Sequence, residues 1–165
     1  MRTVTAAAVL IAWSSVARAQ QPAPNPAASR TMVSAADVTA MIAKAKSERK
    51  EQALLAQSML QLAPYNVSLE YRAAVANAAV HETEAELFYV IDGSATLVTG
   101  GKLTADATRN GANLSGKGIE GGTSRRVGKG DFIMVPENTP HWFSAIDGTV
   151  VLMSLHLPHT ASTAK

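Results

Sequence analysis

The chain has 165 residues, 15 basic against 13 acidic, with four histidines and no cysteine. That length suffices for one domain. Without thiols, neither disulfides nor thiolate ligands are available, so any metal must be held by histidine and carboxylate. Residues 1–19, with Arg2, an apolar run from Val4 to Trp13 and the triplet Ala17-Arg18-Ala19, read as a secretory signal peptide and predict export to a bacterial periplasm or medium. Once Arg2 and Arg18 leave with that segment, the remaining charges balance at 13 and 13 and no sustained basic face is left, which argues against a nucleic-acid partner. The apolar run is broken by Ser14-Ser15 after about ten residues, too few for a helix across a bilayer core of about 30 Å, so no membrane span is expected.

Residues 20–33, rich in Pro, Ala and Gln, predict a flexible spacer. Over 34–63 a helical segment is expected. Ser34 and Asp37 form a helix-start signature, and Val38, Met41, Ile42 and Ala45 recur on one helical stripe. Lys44, Lys46, Arg49 and Lys50 suit the far end of that helix. Gln52 to Leu62 fits either a second helix or an extended segment. From Tyr65 the period becomes two, with Val67, Leu69 and Tyr71 alternating with polar residues, and strands dominate from there. Leu87–Ile91 and Ala95–Val98 flank Asp92-Gly93 and predict a hairpin. Residues 104–130, dense in glycine, predict a long loop with a short strand near Arg125 to Val127. Phe132–Val135, Trp142–Ile146 and Val150–Leu157 are three further strand candidates, and short strands with Gly and Pro turns suggest a sandwich or barrel.

Two spaced motifs carry the chemistry. In the stretch from His81 to Gly93, His81 precedes Glu86 by five residues, and Gly93 follows after seven. In the stretch from Gly130 to His141, Pro136, Asn138 and His141 keep fixed spacings. Together they resemble the two motifs of the cupin superfamily: a His pair, a Glu and a Gly in the first, and Gly, Pro, usually Gly, and His in the second. The resemblance covers roughly residues 65 to 157. Ala79 stands where the first His of the pair would be, and Asn138, tolerant of positive φ, stands for the usual Gly.

This resemblance implies an all-β, cupin-type double-stranded β-helix barrel (jelly roll) at 64–158, paired as a homodimer; the residues themselves add one or two helices before it and a disordered tail at 159–165. It implies a divalent transition metal (Fe, Mn, Ni or Zn) held by His81, Glu86 and His141, with open positions for a small oxygen-bearing ligand. The function implied is a metal-dependent oxygenase, isomerase or lyase; the alternative is a metal-free cupin that binds or senses a small molecule. Because five is an odd number, His81 and Glu86 can face the same interior only if the chain bends between them, at Glu82-Thr83-Glu84.

His156 shares a face with Leu152 and Ser154 and is a candidate fourth ligand or base, against the plainer reading of a hydrogen-bonded edge histidine. Glu82 is a candidate extra ligand, against that of an exposed turn acid. Phe88 and Val90 share the face of Glu86 and, with Tyr71 and Phe143, are candidate pocket walls. Leu87, Tyr89 and Ile91 are expected to face a second layer or a partner. Glu70 and Arg72 fit a surface ion pair. No triad of a hydrolase is supported by spacing.

Overall fold

The computed structural model describes residues 29–159. The predicted signal peptide, most of the spacer and the tail beyond His159 lie outside the described residues. One helix, α1 (Ala35–Glu48), is followed by β1 (Leu54–Leu62), β2 (Tyr65–Arg72), β3 (Ala78–His81), β4 (Glu84–Thr99), β5 (Lys102–Leu103), β6 (Thr108–Asn110), β7 (Asn113–Gly116), β8 (Ile119–Glu120), β9 (Thr123–Gly128), β10 (Phe132–Val135) and β11 (His141–Pro158). The architecture is the expected all-β jelly roll with an N-terminal helix.

Ser34 begins α1 with a complete capping box: its hydroxyl accepts from the Asp37 N–H, and the Asp37 carboxylate accepts from the Ser34 N–H. The predicted helical segment 34–63 is correct only in its first half. Leu54 to Leu62 is a strand paired antiparallel with β2, because its apolar residues find a sheet edge to join, and tertiary pairing outweighs helical spacing. The end of the predicted spacer is tied to the same strand, with Arg30 bridging Gln61. At the other end, the His159 N–H donates to the Thr83 carbonyl.

The hairpin expected at Asp92-Gly93 does not form. β4 runs straight through it and changes partner there, pairing with β10 before Gly93 and with β9 after it. Along its other edge β4 pairs with β11 throughout. β11 absorbs the irregularity between Ile146 and Val150, so two predicted strands are one. Gly93 has φ +78°, and a Cβ there would lie 2.0 Å from the Thr149 carbonyl oxygen. The Asp-Gly pair thus marks a close backbone approach rather than a turn. The predicted long loop 104–130 holds β6 to β9, in short pieces separated by glycines.

Two apolar cores result. Inside the barrel, Phe88, Val90, Leu97, Val127, Val135, Phe143, Val150 and Leu152 pack together. On the outer face of β1, β2 and β11, Met59, Leu69, Tyr71 and Val151 pack under α1 through Ala45, Val38, Met41 and Ile42. Each fully buried side chain of this kind contributes roughly 1.5–3 kcal/mol. Ile91 belongs to the second layer, as expected for its face. Among the described residues no helix is long and apolar enough to cross a membrane.

Gly93→Ala should lower stability by about 2 kcal/mol or more, a fall of roughly 6–10 °C in Tm, from positive φ and the clash together. Gly128→Ala, whose Cβ would have its nearest neighbour at 4.0 Å, should stay within about 1 kcal/mol. Thermal melts of the two variants followed by circular dichroism check this.

Candidate metal centre

β3 ends at His81, the chain bends at Glu82-Thr83, and β4 begins at Glu84. This break lets residues an odd number apart face one interior. β11 then lies beside β4 with His156 opposite Glu86 and His141 opposite Thr99, and His141 is also opposite Ala79 of β3. Cross-strand partners share a face. Glu86 is therefore the centre of the group. Its Oε2 lies 3.3 Å from His81 Nε2 and 3.1 Å from His141 Nε2, and its Oε1 lies 3.4 Å from His156 Nε2. One ligand atom each from His81, Glu86 and His156 lie within 4.8 Å of one another. The Ser154 hydroxyl donates to Glu86 Oε1 at 2.6 Å.

The other ring nitrogens are all committed to oxygen. His81 Nδ1 donates to Asn113 Oδ1 at 2.8 Å, His141 Nδ1 to the Thr139 carbonyl at 3.1 Å, and His156 Nδ1 to Glu84 Oε2 at 3.1 Å. With Nδ1 protonated, a neutral imidazole presents a lone pair at Nε2. Three such lone pairs converge on one buried carboxylate, an arrangement that needs positive charge in its midst, either protons on the rings or a cation among them. The oxygen anchors also fix ring orientation and raise ligand basicity, as the outer partners of metal-bound histidines do. The donor set therefore fits a divalent metal.

Electrostatics follow the same geometry. Burial pushes the Glu86 carboxyl up, but hydrogen bonds from His141 and His81, the charge of His141 and the Ser154 hydroxyl outweigh it and hold the group far below the usual carboxylate range. Burial pushes the His81 imidazole down. Its bonds to Glu86 and Asn113 and the charges of Glu86 and Glu84 win, and its pKa is raised.

The remaining candidates separate cleanly. Glu82 points to Arg109, whose Nη2 donates to Glu82 Oε1 at 2.8 Å; its charge is spent in an exposed ion pair, so it is not a ligand in this arrangement. Tyr71 is not a pocket wall, since it packs beneath α1 in the outer core. The strand alternation that turns it outward turns Glu70 and Arg72 inward. Their ion pair at 2.7 Å is buried rather than on the surface, and Arg72 lies over the Phe143 ring at 4.7 Å. Phe88 and Phe143, edge to face at 5.4 Å, form a closed apolar floor under His141, and Val90 lies deeper still.

Sequence reasoning missed Asn113 and Ser154 as partners of the cluster. The single usable signal was the two-residue spacing of Leu152, Ser154 and His156. Nothing local marks Asn113, which arrives through the pairing of β7 with β3.

The chain belongs to the cupin family: the family model described as Cupin matches residues 45–164. Among solved structures it is similar to BH2720 from Bacillus halodurans, with 13% identity, a TM-score of 0.51, and coverage of 80% of this chain and 84% of that one. It is also similar to KdgF from Halomonas sp., with 17% identity and a TM-score of 0.49 over 67% of this chain and 83% of that one. The Cnp3 cupin domain of Schizosaccharomyces pombe gives 14% identity and a TM-score of 0.47 over 66% and 67%. These likenesses concern the fold. No curated protein matches the chain.

Because Glu86 and Asn113 both favour the charged His81 ring, Glu86→Gln and Asn113→Ala should each lower the His81 pKa, with the larger fall in Glu86→Gln. The charged-ring contribution to stability is present below pH 6.5, the ordinary value, and fades as pH rises through the raised one. Titration of the ring nitrogens by NMR in chelator-treated protein measures the shifts; an unchanged His81 pKa in Glu86→Gln would contradict the geometry.

Proposed function

We propose that this cupin is a metal-dependent enzyme acting on a small oxygen-bearing molecule, its divalent ion held by His81, Glu86, His141 and His156. The observation that carries this reading is the convergence of three Nε2 atoms on Glu86 while every Nδ1 is anchored to oxygen. His156 supplies the nitrogen that Ala79 cannot. Three imidazoles and one carboxylate suit Fe(II), Mn, Ni or Zn and leave room for water or substrate on an octahedral ion. When bound, such an ion supplies Lewis acidity, or oxygen chemistry if it is iron.

The chain's own residues do the rest. His141, His81 and Ser154 hold Glu86 ionised in the barrel. The closed floor of Phe88 and Phe143 excludes water from below, while His81 and His156, partly exposed, leave the cluster open from above. His156, held at Nδ1 by the partly exposed Glu84, is fixed with its Nε2 toward Glu86. Export and homodimerisation complete the proposal. The composition of residues 1–19 supports export, and the exposed Leu62 and Tyr65 where β1 meets β2 support a partner subunit.

Protein purified without chelators should contain close to one equivalent of a transition metal by elemental analysis. The double variant His81→Ala, His141→Ala should contain none, and His156→Ala should bind roughly 10–100-fold more weakly. Chelator should lower the Tm of the wild type and leave the double variant unmoved, since an ion bound only to the folded state stabilises it by mass action. Less than about a tenth of an equivalent, even after reloading with Fe(II), Mn, Ni and Zn, would overturn the metal reading in favour of a metal-free binding barrel.

A further inference from the structure

A cleft of about 470 Å³ opens beside the cluster, between β9 and β10, lined by Leu97, Thr99, Arg125, Val127, Ile133 and Thr139 among others. Its inner wall is the inner face of the barrel. Arg125 pairs with Leu97 and Val127 with Ala95 across the β4–β9 ladder, and Leu97, Val127 and Ala95 all belong to the barrel core. Arg125 therefore stands on the interior side of β9, exposed only because the barrel is open there. Thr99, two residues along β4, is the cross-strand partner of His141, and the Thr139 carbonyl anchors the His141 ring. Two residues of its lining, Thr99 and Thr139, thus adjoin His141. Two strand spacings and two residues of rise separate the Cα atoms of Arg125 and His141, about 12 Å along the sheet. An arginine side chain covers about half of that, leaving the span of a small organic molecule.

The charges around the cleft single out Arg125. Arg126 is engaged by Asp147 and by Ser94 Oγ. Lys129 pairs with Asp92. Asp131, the acid of the lining, keeps its charge while its Oδ2 accepts from the Gly128 N–H at 2.8 Å. Among the described residues, Arg125 alone on this rim has neither ion pair nor hydrogen-bond partner. A guanidinium presents a planar fork that matches a carboxylate through two parallel hydrogen bonds. Arg125 shares the cleft with the apolar Leu97, Val127 and Ile133 and with Thr99 and Thr139, which adjoin His141. One unspent cation in a cleft with these apolar side chains suits a singly charged carboxylate with a short apolar body better than a doubly charged phosphate, which would call for a second donor.

We propose that this cleft is the substrate subsite and that Arg125 is its specificity-determining residue, binding the carboxylate of a small organic acid whose far end reaches the cluster at His141. The proposal rests on the metal-enzyme reading for what happens at that far end, but not for binding itself. The test uses the full chain, treated with chelator so that carboxylate binding to a metal plays no part, and benzoate as the probe, with benzamide as its neutral counterpart.

Benzoate should give saturable shifts of the Thr99, Val127 and Ile133 amides in ¹H–¹⁵N spectra. Arg125→Gln should weaken binding by about tenfold or more, Arg125→Lys by less, and benzamide should bind wild type no better than benzoate binds Arg125→Gln. Unaltered circular dichroism of the variants confirms that they fold. The absence of a saturable shift, an affinity indifferent to Arg125→Gln, or equal binding of benzoate and benzamide would each overturn the proposal. The two readings fail separately. Benzoate binding retained in a protein that takes up no metal sinks only the metal centre, whereas full metal uptake without Arg125-dependent binding sinks only the subsite.

Discussion

β4 and β11 lie antiparallel over almost their whole lengths, from His141 against Thr99 to Pro158 against Glu84. Glu86, His141, Ser154 and His156 are all placed by that ladder. It joins the two halves of the barrel, sets Glu86 opposite His156, and sets His141 beside the strand that carries Glu86. A slip of one residue would turn every side chain of β11 to the opposite face, sending His156 and Ser154 outward together. The two strands stay paired past their midpoint, through three shifts of register, because Gly93 gives β11 room at the Thr149 carbonyl while β4 passes from one outer partner to another. The backbone device that closes the barrel is therefore also what aligns the chemical groups.

The cluster on that ladder is an electrostatic problem solved locally. A carboxylate buried as deeply as Glu86 is costly unless it is paired. It is paired with three imidazoles and a hydroxyl, and each imidazole is itself tethered by a group from a different part of the chain: Asn113 from β7, Thr139 from the turn before β11, and Glu84 from the start of β4. The tethers make the ring orientations independent of whatever occupies the centre. They also give the glycine-dense region a purpose, since its short strands carry Asn113 to His81 across the β3–β7 pairing.

Much of this was legible in the sequence, for identifiable reasons. His81, Glu86 and His141 stand at the spacings of the two cupin motifs, and the alternation after Glu86 places Phe88 and Val90 inside and Ile91 outside. The failures have one physical origin. Local signals such as Asp92-Gly93, the helical spacing of Leu55, Met59 and Leu62, or the Tyr71 face describe what a segment can do alone, while pairing with distant strands decides what it does. Tyr71 and the Glu70–Arg72 pair exchanged sides for that reason. Alternation fixes that they oppose each other, but only the neighbouring ladders say which face is the interior. Asn113 was invisible because a single amide in a glycine-rich stretch carries no period at all.

Ala79 shows how the barrel tolerates losing a ligand position. Its register places it beside His141 on the inner face, the place a histidine of the family's first motif would take. His156 enters from β11, on the strand directly beside Glu86, and stands edge-on to His81 with ring centroids 4.6 Å apart. Coordination chemistry needs nitrogen atoms at particular points, not on particular strands, and a closed barrel brings several strands to the same rim. A donor can therefore move from β3 to β11 without disturbing the ladder that holds Glu86.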